Sequence, residues 1–510
     1  MSNLVALVVG LPLFSAMVSL GVRRHGLLRD IVTMGTIIAV SVMSFVLLVH
    51  VEANGSVVVR VGDWSPDLGI VLVADMFAVL VLAVAMVTIL LVEIFAMGQR
   101  GSRLGADPTI VGPMLLVLTA GVALSTLTGD LFTLFVAFEL MLVASYVLLT
   151  HQGRAGQVQS GMTYVVINLF ASTMFLFGVA FVYTATGTVN LAELAERIPE
   201  LSDGVRWGIG LWFLVVFGTK AAMFPLFSWL PDSYPTAPTT ITAVFAGLLT
   251  KIGVYVMIRF HVLTGMDDLG PIILILAGFT MLVGVAGALA QDDMKRILSF
   301  HIVSQIGYML MGLGLFSVAG IAGAIIFLVH QIPVKTVLFL VGALVESDRG
   351  TSALDRMSGL VSSRPWVAAM FALPALSLAG LPPFSGFVAK LALIDAGVAQ
   401  ASVAIVVVAL VCSVLTLLSM AKIWMGIFWG VDDRASDDVD TEPAVIRSRG
   451  SWRTMSMAAG AATVLTMVIA VLSGPLWDMS ERAATELLDG DVYIAAVLDP
   501  SGDASEVAEP

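Results

Sequence analysis

The chain is poor in charge and has almost no cysteine. Of its 510 residues only 12% are charged, about half the share found in soluble domains. Its one cysteine, Cys412, lies in the apolar run VVVALVCSVLTLL, which excludes a disulfide framework and a CxxC metal or redox pair. The sequence has no nucleotide-binding glycine loop, no metal-spaced set of histidine and cysteine, and no nucleophile elbow. We therefore expect neither soluble-enzyme chemistry nor a resident cofactor or metal.

What the chain has instead is long apolar runs. The hydrophobic share is 58% and the mean hydropathy is +1.00, as in integral membrane proteins. Fourteen runs have about 20 residues, the length that crosses about 30 Å of hydrocarbon. They begin near residues 3, 30, 70, 109, 131, 161, 207, 239, 269, 295, 319, 366, 401 and 455. We predict an all-α polytopic membrane protein with about 14 transmembrane helices, the first of them a retained helix rather than a signal peptide.

Basic residues are distributed unevenly between the two sides of these spans. With the N-terminus outside, fifteen lysines and arginines fall in inner loops and about five in outer loops, which the positive-inside rule favours. An even number of spans then places the C-terminus outside as well. There we expect an acidic, flexible tail over 488–510 and a short surface helix over 190–201 with Asn190 as its cap. The net charge of -12 lies mainly in loops and tail and does not suit nucleic acid.

Lysine and arginine are predicted at different depths. Essentially all of the nineteen arginines fall in loops or at helix ends, whereas four of the six lysines lie well inside spans. Arginine keeps its proton, but lysine releases one readily when it is desolvated. Each buried cation costs about 2.5 to 3.5 kcal/mol, so idle charges are unfavourable. We interpret four as functional and expect Lys422, near the inner end of its span, to snorkel to the interface. The deep lysines are Lys220, Lys251, Lys335 and Lys390.

Few carboxylates share the depth of these lysines. Glu139 lies near the middle of the fifth span, where a carboxylate must be paired or neutral. Pairing with a lysine is the simplest solution. Asp75 and Glu93 lie nearer the ends of the third span, and we interpret both as structural or interfacial groups.

The eleventh span, AIIFLVHQIPVKTVLFLVGALVE, places Pro333 between His330 and Lys335. Histidine titrates near neutrality and can pass a proton through either ring nitrogen. Proline removes a backbone hydrogen bond and so exposes the carbonyl of Val329. The combination predicts a hydrated helix with a break at Pro333. A hydrogen-bonded core histidine and a merely structural kink remain alternatives.

A short internal repeat links two of the deep lysines to prolines. The segment FPLFSWL recurs 157 residues later as LPPFSGF. Lys220 precedes Pro225 in the first copy, and Lys390 follows Pro382 and Pro383 in the second. Proline-interrupted spans in corresponding positions of two halves indicate discontinuous helices and inverted repeats in transporters. We predict that each break opens the helix beside its lysine so that water can reach the amine.

The chain resembles the antiporter-like subunits shared by respiratory complex I, membrane-bound hydrogenases and multiple resistance and pH (Mrp) cation/proton antiporters. The resemblance covers nearly the whole chain and rests on SGMTYVVINLFAS, TKAAMFPLFSWLPDSYPTAPT, AGLLTKIGVYVMIR, DDMKRILSFHIVSQIGYML and LAGLPPFSGFVAK. Within this family the chain is most similar to the D subunits of Mrp antiporters. That similarity rests on FELMLVASYVLLTHQG, on HQIPVKTVLFL, and on Lys390 where the related complex I subunit usually has glutamate.

The resemblance implies two inverted five-helix repeats, broken helices 7 and 12, and a polar axis along the membrane midplane. In that pattern Glu139 pairs with Lys220, Lys251 is the central relay and Lys390 ends the axis. Pro333 departs from the pattern, which leaves the geometry around His330 open. The axis residues are Glu139, Lys220, Lys251, His330, Lys335 and Lys390. The implied segments are 1–105 (helices 1 to 3), 106–265 (first repeat, helices 4 to 8), 266–430 (second repeat, helices 9 to 13) and 431–510 (cytoplasmic loop, last span and acidic tail).

The resemblance also implies a function. We expect a membrane subunit of a multisubunit Na+/H+ antiporter in the bacterial plasma (inner) membrane, a secondary transporter rather than an enzyme. Its partners would be other antiporter subunits, the lipid bilayer, protons and Na+. Hard cations prefer several oxygen ligands, so we expect a lysine-dominated axis to carry protons, with sodium bound at a subunit contact or elsewhere. The alternatives are a proton-pumping subunit of an NADH:quinone oxidoreductase or hydrogenase complex, and a structural scaffold with inert lysines.

Overall fold

Long apolar helices make up most of the chain. A computed structural model describes residues 1–65, 69–100, 107–430 and 449–498. Within these ranges twelve helices are long and apolar enough to cross a membrane, which confirms the predicted all-α polytopic fold. The predicted number of about 14 also counts Asp203–Ala221 and a pair of shorter helices within residues 365–399. That number, the inverted repeats and the segment boundaries stay predictions.

The first half of the chain contains eleven helices and one small sheet within the described residues. They are α1 (Ser2–Gly21), α2 (Gly26–Asn54), β1 (Val57–Arg60), β2 (Val71–Ala74), α3 (Met76–Gln99), α4 (Pro108–Leu127), α5 (Leu131–Thr150), α6 (Ala155–Thr186), α7 (Leu191–Arg197), α8 (Asp203–Ala221), α9 (Trp229–Ser233), α10 (Thr239–Val244) and α11 (Thr250–Leu263). A π-helical turn, Phe245–Leu249, joins α10 to α11, so that these three segments form one continuous span.

The second half contains ten helices within the described residues. They are α12 (Gly270–Leu289), α13 (Met294–Gly314), α14 (Val318–Arg349), α15 (Leu360–Ser363), α16 (Pro365–Ala379), α17 (Ser385–Ala399), α18 (Val403–Ile423), α19 (Arg449–Val471), α20 (Ser473–Asp489) and α21 (Asp491–Leu498). The segment 431–448, part of the predicted cytoplasmic loop, lies outside the described residues.

The chain leaves the helical conformation at two places that contain prolines. Pro225 lies between α8 and α9, and Pro382 and Pro383 lie between α16 and α17. The residue after α8 is Ala222, which has φ 61°, and the residue after α16 is Gly380, which has φ 85°. A residue in the left-handed conformation after the last turn commonly ends a helix. The prolines that follow have no backbone N–H and so cannot continue the helical hydrogen bonds. Each break therefore leaves helix ends inside the bundle.

Pro333 does not break its helix. Helix α14 runs without interruption from Val318 to Arg349 with Pro333 inside it, so the break predicted there is wrong. Proline removes one backbone hydrogen bond, but every residue of α14 from 320 to 345 is buried against neighbouring elements. Because packing supplies most of the stability of a helix in a folded protein, the surrounding bundle holds α14 in helical geometry despite the lost bond.

A small cap of strands and short helices covers one end of the bundle. Strands β1 and β2 pair in antiparallel orientation, and single bridges join Leu72 to Thr128 and Asp130 to Asn190. Asn190 caps α7, and its side chain accepts a hydrogen bond of 2.9 Å from the N–H of Ala192. The surface helix predicted over 190–201 therefore begins at the predicted cap.

The C-terminal segment is more ordered than the sequence predicts. Helix α21 buries Tyr493 and Val497, and Arg60 donates a hydrogen bond of 2.6 Å to the carbonyl of Val497. The prediction of a flexible tail is therefore wrong for residues 488–498, which lie in α20, α21 and the single residue between them, while 499–510 lie outside the described residues. Since Arg60 follows α2 and α2 returns to the end at which α1 begins, residues 1 and 498 lie at the same end of the bundle.

Candidate functional site

Lys220 lies in the last turn of α8, and its side chain is bound to α6. Its Nζ donates a hydrogen bond of 3.2 Å to the carbonyl of Asn168 and one of 2.9 Å to Ser172 Oγ. The same nitrogen lies 5.6 Å from the centre of the Phe138 ring. All of its close polar contacts are therefore with neutral oxygens, and the ring face adds a favourable cation–π contact.

Glu139 is close to Lys220 without being bonded to it. Its charge acts electrostatically on Lys220, but among the described residues no ion pair joins Glu139 to a lysine. Its Oε1 is buried and has no hydrogen-bond partner in the described part of the chain. The pair expected from the family pattern is therefore open in this structure.

A small cavity adjoins the Lys220 side chain. Its volume is about 30 Å³, and one water molecule needs about 10 to 15 Å³ of such volume and two to four polar partners. The cavity therefore has room for water beside the ammonium group. Its lining residues are Phe138, Met141, Leu142, Tyr164, Asn168, Lys220, Trp229 and Leu249.

Lys251 lies at the start of α11, directly after the π-helical turn. Its Nζ bends back and donates a hydrogen bond of 2.5 Å to the carbonyl of Ala246, inside that turn. Single π turns within helices occur frequently at functional sites. A Cβ at Gly253 would lie 2.8 Å from Ala221 N and 3.0 Å from the carbonyl carbon of Lys220. The backbones of α11 and α8 are therefore in direct contact beside both lysines.

His330 and Lys335 lie on α14 and are both buried. His330 Nδ1 is 2.8 Å from Ser385 Oγ at the start of α17, whereas its Nε2 has no partner within the described ranges. Lys335 is completely buried, and its Nζ also has no hydrogen-bond partner among the described residues. A hydrogen-bonded core histidine would have partners for both ring nitrogens. His330 has a partner for only one of them within the described ranges.

Lys390 bridges the break between α16 and α17. Its Nζ donates to the carbonyls of Leu378 and Ala379 at 3.0 and 3.1 Å, and it lies 4.7 Å from the centre of the Tyr308 ring. The last carbonyls of a helix lack intrahelical partners and carry the negative end of the helix dipole. Lys390 therefore caps α16 from the following helix.

The buried ionisable groups fall into one electrostatic cluster and one pair. The charges of Lys251 and Lys390 act on Lys335, and those of Lys335 and Lys390 act on His330 and His301. These five basic groups form the cluster. Glu139 and Lys220 form the separate pair. The six predicted axis residues thus fall into this pair and this cluster, and the cluster also contains His301. The pair and the cluster meet at Gly253, where the helices of Lys220 and Lys251 touch.

Helices α13 and α14 hold several buried polar atoms without partners in the described part of the chain. Gln331 Nε2 donates to Gln305 Oε1 at 3.4 Å, but the remaining amide atoms face no donor or acceptor. Buried polar atoms in proteins are nearly always hydrogen-bonded, and ordered water supplies the bond where protein does not. These atoms therefore mark positions at which internal water can bind. They are His301 Nδ1, Gln305 Nε2, His330 Nε2, Gln331 Oε1 and Lys335 Nζ.

An ion pair that the sequence did not predict lies on the same helix as Lys251. Arg259 is buried in α11 and donates two hydrogen bonds of 2.7 Å to Asp75, the cap of α3. The prediction that essentially all arginines lie in loops or at helix ends is therefore wrong for Arg259. The available signal was its place in the apolar run VYVMIRFHVL, eight residues after Lys251. Glu93, predicted to be structural, pairs with Arg100 at 3.2 Å.

Comparisons with known proteins show which family the chain resembles over its length. The family model described as NADH:quinone oxidoreductase/Mrp antiporter, TM, matches residues 128–416. The D subunit of the Na(+)/H(+) antiporter of Alkalihalophilus pseudofirmus is 40% identical over 98% of this chain and 100% of its own length. The D subunit of the Na(+)/H(+) antiporter of Bacillus subtilis is 34% identical over the same shares.

Solved structures share the fold over nearly the whole chain. A chain in the structure of the Mrp complex from Dietzia sp. DQ12-45-1b has a TM-score of 0.87 at 35% identity and covers 98% of this chain and 100% of its own. A chain of the membrane-bound sulfane sulfur reductase, an archaeal respiratory membrane complex, has a TM-score of 0.88 at 24% identity, with the same coverage. At that identity the second likeness concerns the fold alone. The matched family model and the full-length relatives together show that the chain belongs to the NADH:quinone oxidoreductase/Mrp antiporter family of transmembrane subunits.

Proposed function

We propose that this chain is a membrane subunit of a multisubunit Na+/H+ antiporter and that it carries the protons. Relatives named as D subunits of Na(+)/H(+) antiporters match over their full length, which supports the antiporter. Its partners are then the other subunits of the complex, the bilayer, protons and Na+. The proposed proton carriers are Glu139, Lys220, Lys251, His330, Lys335 and Lys390.

The observation that carries the proposal is that the four deep lysines lack a direct carboxylate partner within the described residues. Lys220, Lys251 and Lys390 donate to carbonyl or hydroxyl oxygens, and Lys335 has no bonded partner there. A direct ion pair would hold the proton in place. A lysine bound only to neutral oxygens can keep those bonds with or without its charge, since a neutral amine still donates.

The proposed mechanism begins at the open pair. When Glu139 approaches Lys220, its negative charge stabilises the ammonium form and retains the proton. When the two separate, the proton is released toward hydrated groups and Lys251. A membrane potential supplies about 2.3 kcal/mol per charge per 100 mV, which is of the same order as the cost of one buried cation. The two energies are therefore commensurate.

Repulsion within the lysine cluster propagates the transfer. Because Lys251, Lys335 and Lys390 interact through their charges, protonating one of them disfavours a charge on the next. A proton that reaches Lys335 from Lys251 therefore favours release of the Lys390 proton to water. The free ring nitrogen of His330 can then accept the proton of Lys335 and pass it to Lys390. Unpartnered polar atoms along α13 and α14 provide the places where water would connect these groups.

Sodium is proposed to bind outside this line. Hard cations prefer several oxygen ligands and no neighbouring ammonium, whereas the proposed carriers include one carboxylate, Glu139, and four lysines. We place the sodium site at a subunit contact or elsewhere in the complex. We also propose that both chain ends lie on the outer face of the plasma membrane.

The alternative, proton pumping in an NADH:quinone oxidoreductase or hydrogenase complex, uses the same fold. The 40% full-length identity to a relative named as an antiporter subunit favours the antiporter.

The test is sodium-dependent proton flux in vesicles that hold the whole complex, read with a pH-sensitive dye. Lys251→Ala is expected to abolish the flux. Lys422→Ala is the matched control, because Lys422 lies at a helix end and pairs with Asp292 at 2.8 Å. It should keep most of the flux. Normal flux with Lys251→Ala, at normal membrane levels of the chain, would overturn the proposal.

A further inference from the structure

One turn of α6 forms a binding position for an ammonium group. Asn168 and Ser172 are four residues apart and so lie on one face of the helix. Both are buried, with exposures of 4% and 3%. The carbonyl oxygen of Asn168 and the hydroxyl of Ser172 both accept hydrogen bonds from Lys220 Nζ. The two oxygens thus hold one cation between them.

The neighbouring hydroxyl shows what such a side chain does without a cation. Thr173, the next residue, is exposed, and its Oγ1 donates a hydrogen bond of 2.9 Å to the carbonyl of Leu169, four residues back. Back-bonding of this kind is the usual behaviour of serine and threonine within helices. The Ser172 oxygen instead serves Lys220 as an acceptor. Thr173 is therefore a natural control for the loss of a hydroxyl from this turn.

Glu139 and Ser172 offer Lys220 two different partners. The Glu139 charge acts on Lys220, yet Glu139 Oε1 is buried without a partner in the described part of the chain. A cavity of about 30 Å³ adjoins the lysine, and four rotatable carbons give its side chain reach. The Lys220 ammonium therefore has two candidate partners and free space beside it.

We propose that the Asn168–Ser172 turn is a second binding position for the Lys220 ammonium, which alternates between Glu139 and Ser172. Ser172 is thus a positioning residue: it holds the lysine when the pair with Glu139 is open. Without it, a lysine that leaves the carboxylate would be a buried cation with one fewer acceptor, which is unfavourable. This inference rests on the proposed function and adds to it the residue that stabilises the open state.

The experiment compares Ser172 variants in vesicles that hold the whole complex, with sodium-dependent proton flux as the readout. Ser172→Ala is expected to slow the flux about tenfold, since it removes a hydrogen bond to a charged group. Thr173→Ala should leave the flux unchanged. Threonine and valine have nearly the same shape but only threonine has a hydroxyl, so Ser172→Thr should be about tenfold faster than Ser172→Val.

Membrane levels and thermal stability of each variant separate a positioning role from a structural one. Ser172→Thr and Ser172→Val place the same volume at this site, so a purely structural role would slow both equally. Equal rates in these two variants, or normal flux with Ser172→Ala, would overturn the inference. Lys251→Ala distinguishes the two claims. If Lys251→Ala is inactive while Ser172→Ala is normal, only this inference fails; if Lys251→Ala is active, the proposed function itself fails.

Discussion

Arg259 and Asp75, which are 184 residues apart in the chain, form a buried bidentate ion pair with two hydrogen bonds of 2.7 Å. Asp75 also caps α3 by accepting from the N–H of Ala78 at 2.8 Å. Arg259 Nε donates to Tyr255 Oη, which in turn donates to the carbonyl of Thr126. The pair therefore ties α11 to α3 and α4 close to the cap of the bundle.

Removing one partner of this ion pair should destabilise the protein strongly. Breaking a buried pair leaves an unpaired charge and costs about 3 to 5 kcal/mol, so Arg259→Gln should lower the Tm in detergent. The control is Arg482→Gln, which breaks the exposed pair between Arg482 and Glu52 and should cost about 0 to 1 kcal/mol. Equal Tm values for the two variants would show that Arg259 does not stabilise the fold in this way.

Glu486 should make stability depend on pH. It lies on α20, outside the spanning helices, and burial together with the charge of Asp75 raises its pKa from the usual 4.5 to about 7, against the opposing effect of Arg482 and Arg259. The protonated form is thus favoured in the folded state. The contribution of Glu486 to the free energy of unfolding is therefore fully present below about pH 4.5, the ordinary pKa. It is lost as the pH rises through about 7, the pKa in the folded state.

The measurement for Glu486 is Tm against pH from 4.5 to 8. Glu486→Gln cannot ionise, so its Tm advantage over the natural chain should grow as the pH rises through this window. Glu481→Gln, on the exposed side of the same helix, controls for the loss of one negative charge. A constant difference between Glu486→Gln and the natural chain across the window would refute the prediction.

Gly386 should tolerate no side chain. A Cβ at Gly386 would overlap the carbonyl oxygen of Ser377 and lie 3.0 Å from His330 Nε2. Gly386→Ala must push α17 away from α16, and overpacking of this kind costs about 1 to 3 kcal/mol. We expect a lower Tm and reduced sodium-dependent proton flux. Gly204→Ala, where nothing lies within 4 Å of the added carbon, should leave both unchanged. A matching loss there would show that the close contact at Gly386 is not the cause.

The spans and the deep lysines could be predicted because both depend on local sequence. A run of about 20 apolar residues has few alternatives to a transmembrane helix, and a lysine in the middle of one is buried wherever the helix packs. The helix interruptions around Pro225 and around Pro382 and Pro383 also follow from local chemistry, since proline lacks a backbone donor. Pro333 was mispredicted by the same rule because packing on every side of α14 outweighs one lost hydrogen bond.

Pairings could not be predicted, because they depend on how distant segments meet. The Arg259–Asp75 pair required knowing that α11 and α3 pack together. The position of Lys220 on Ser172 rather than on Glu139 depends on the rotamer of the Lys220 side chain, which the sequence does not determine. The π turn beside Lys251 has no sequence signature comparable to proline. The role of the six proposed proton carriers remains a prediction, which rests on the family pattern and on their burial.

The most direct test of the account is an experimental structure of the whole complex at a resolution that shows ordered water. Proton transfer along these residues requires water at hydrogen-bond distance, about 2.7 to 3.2 Å, from Lys335 Nζ and His330 Nε2, and a continuous polar route that joins Lys220 through Lys251 to Lys390. Dry apolar surroundings at Lys335, with the four amines in separate pockets and no water between them, would contradict it.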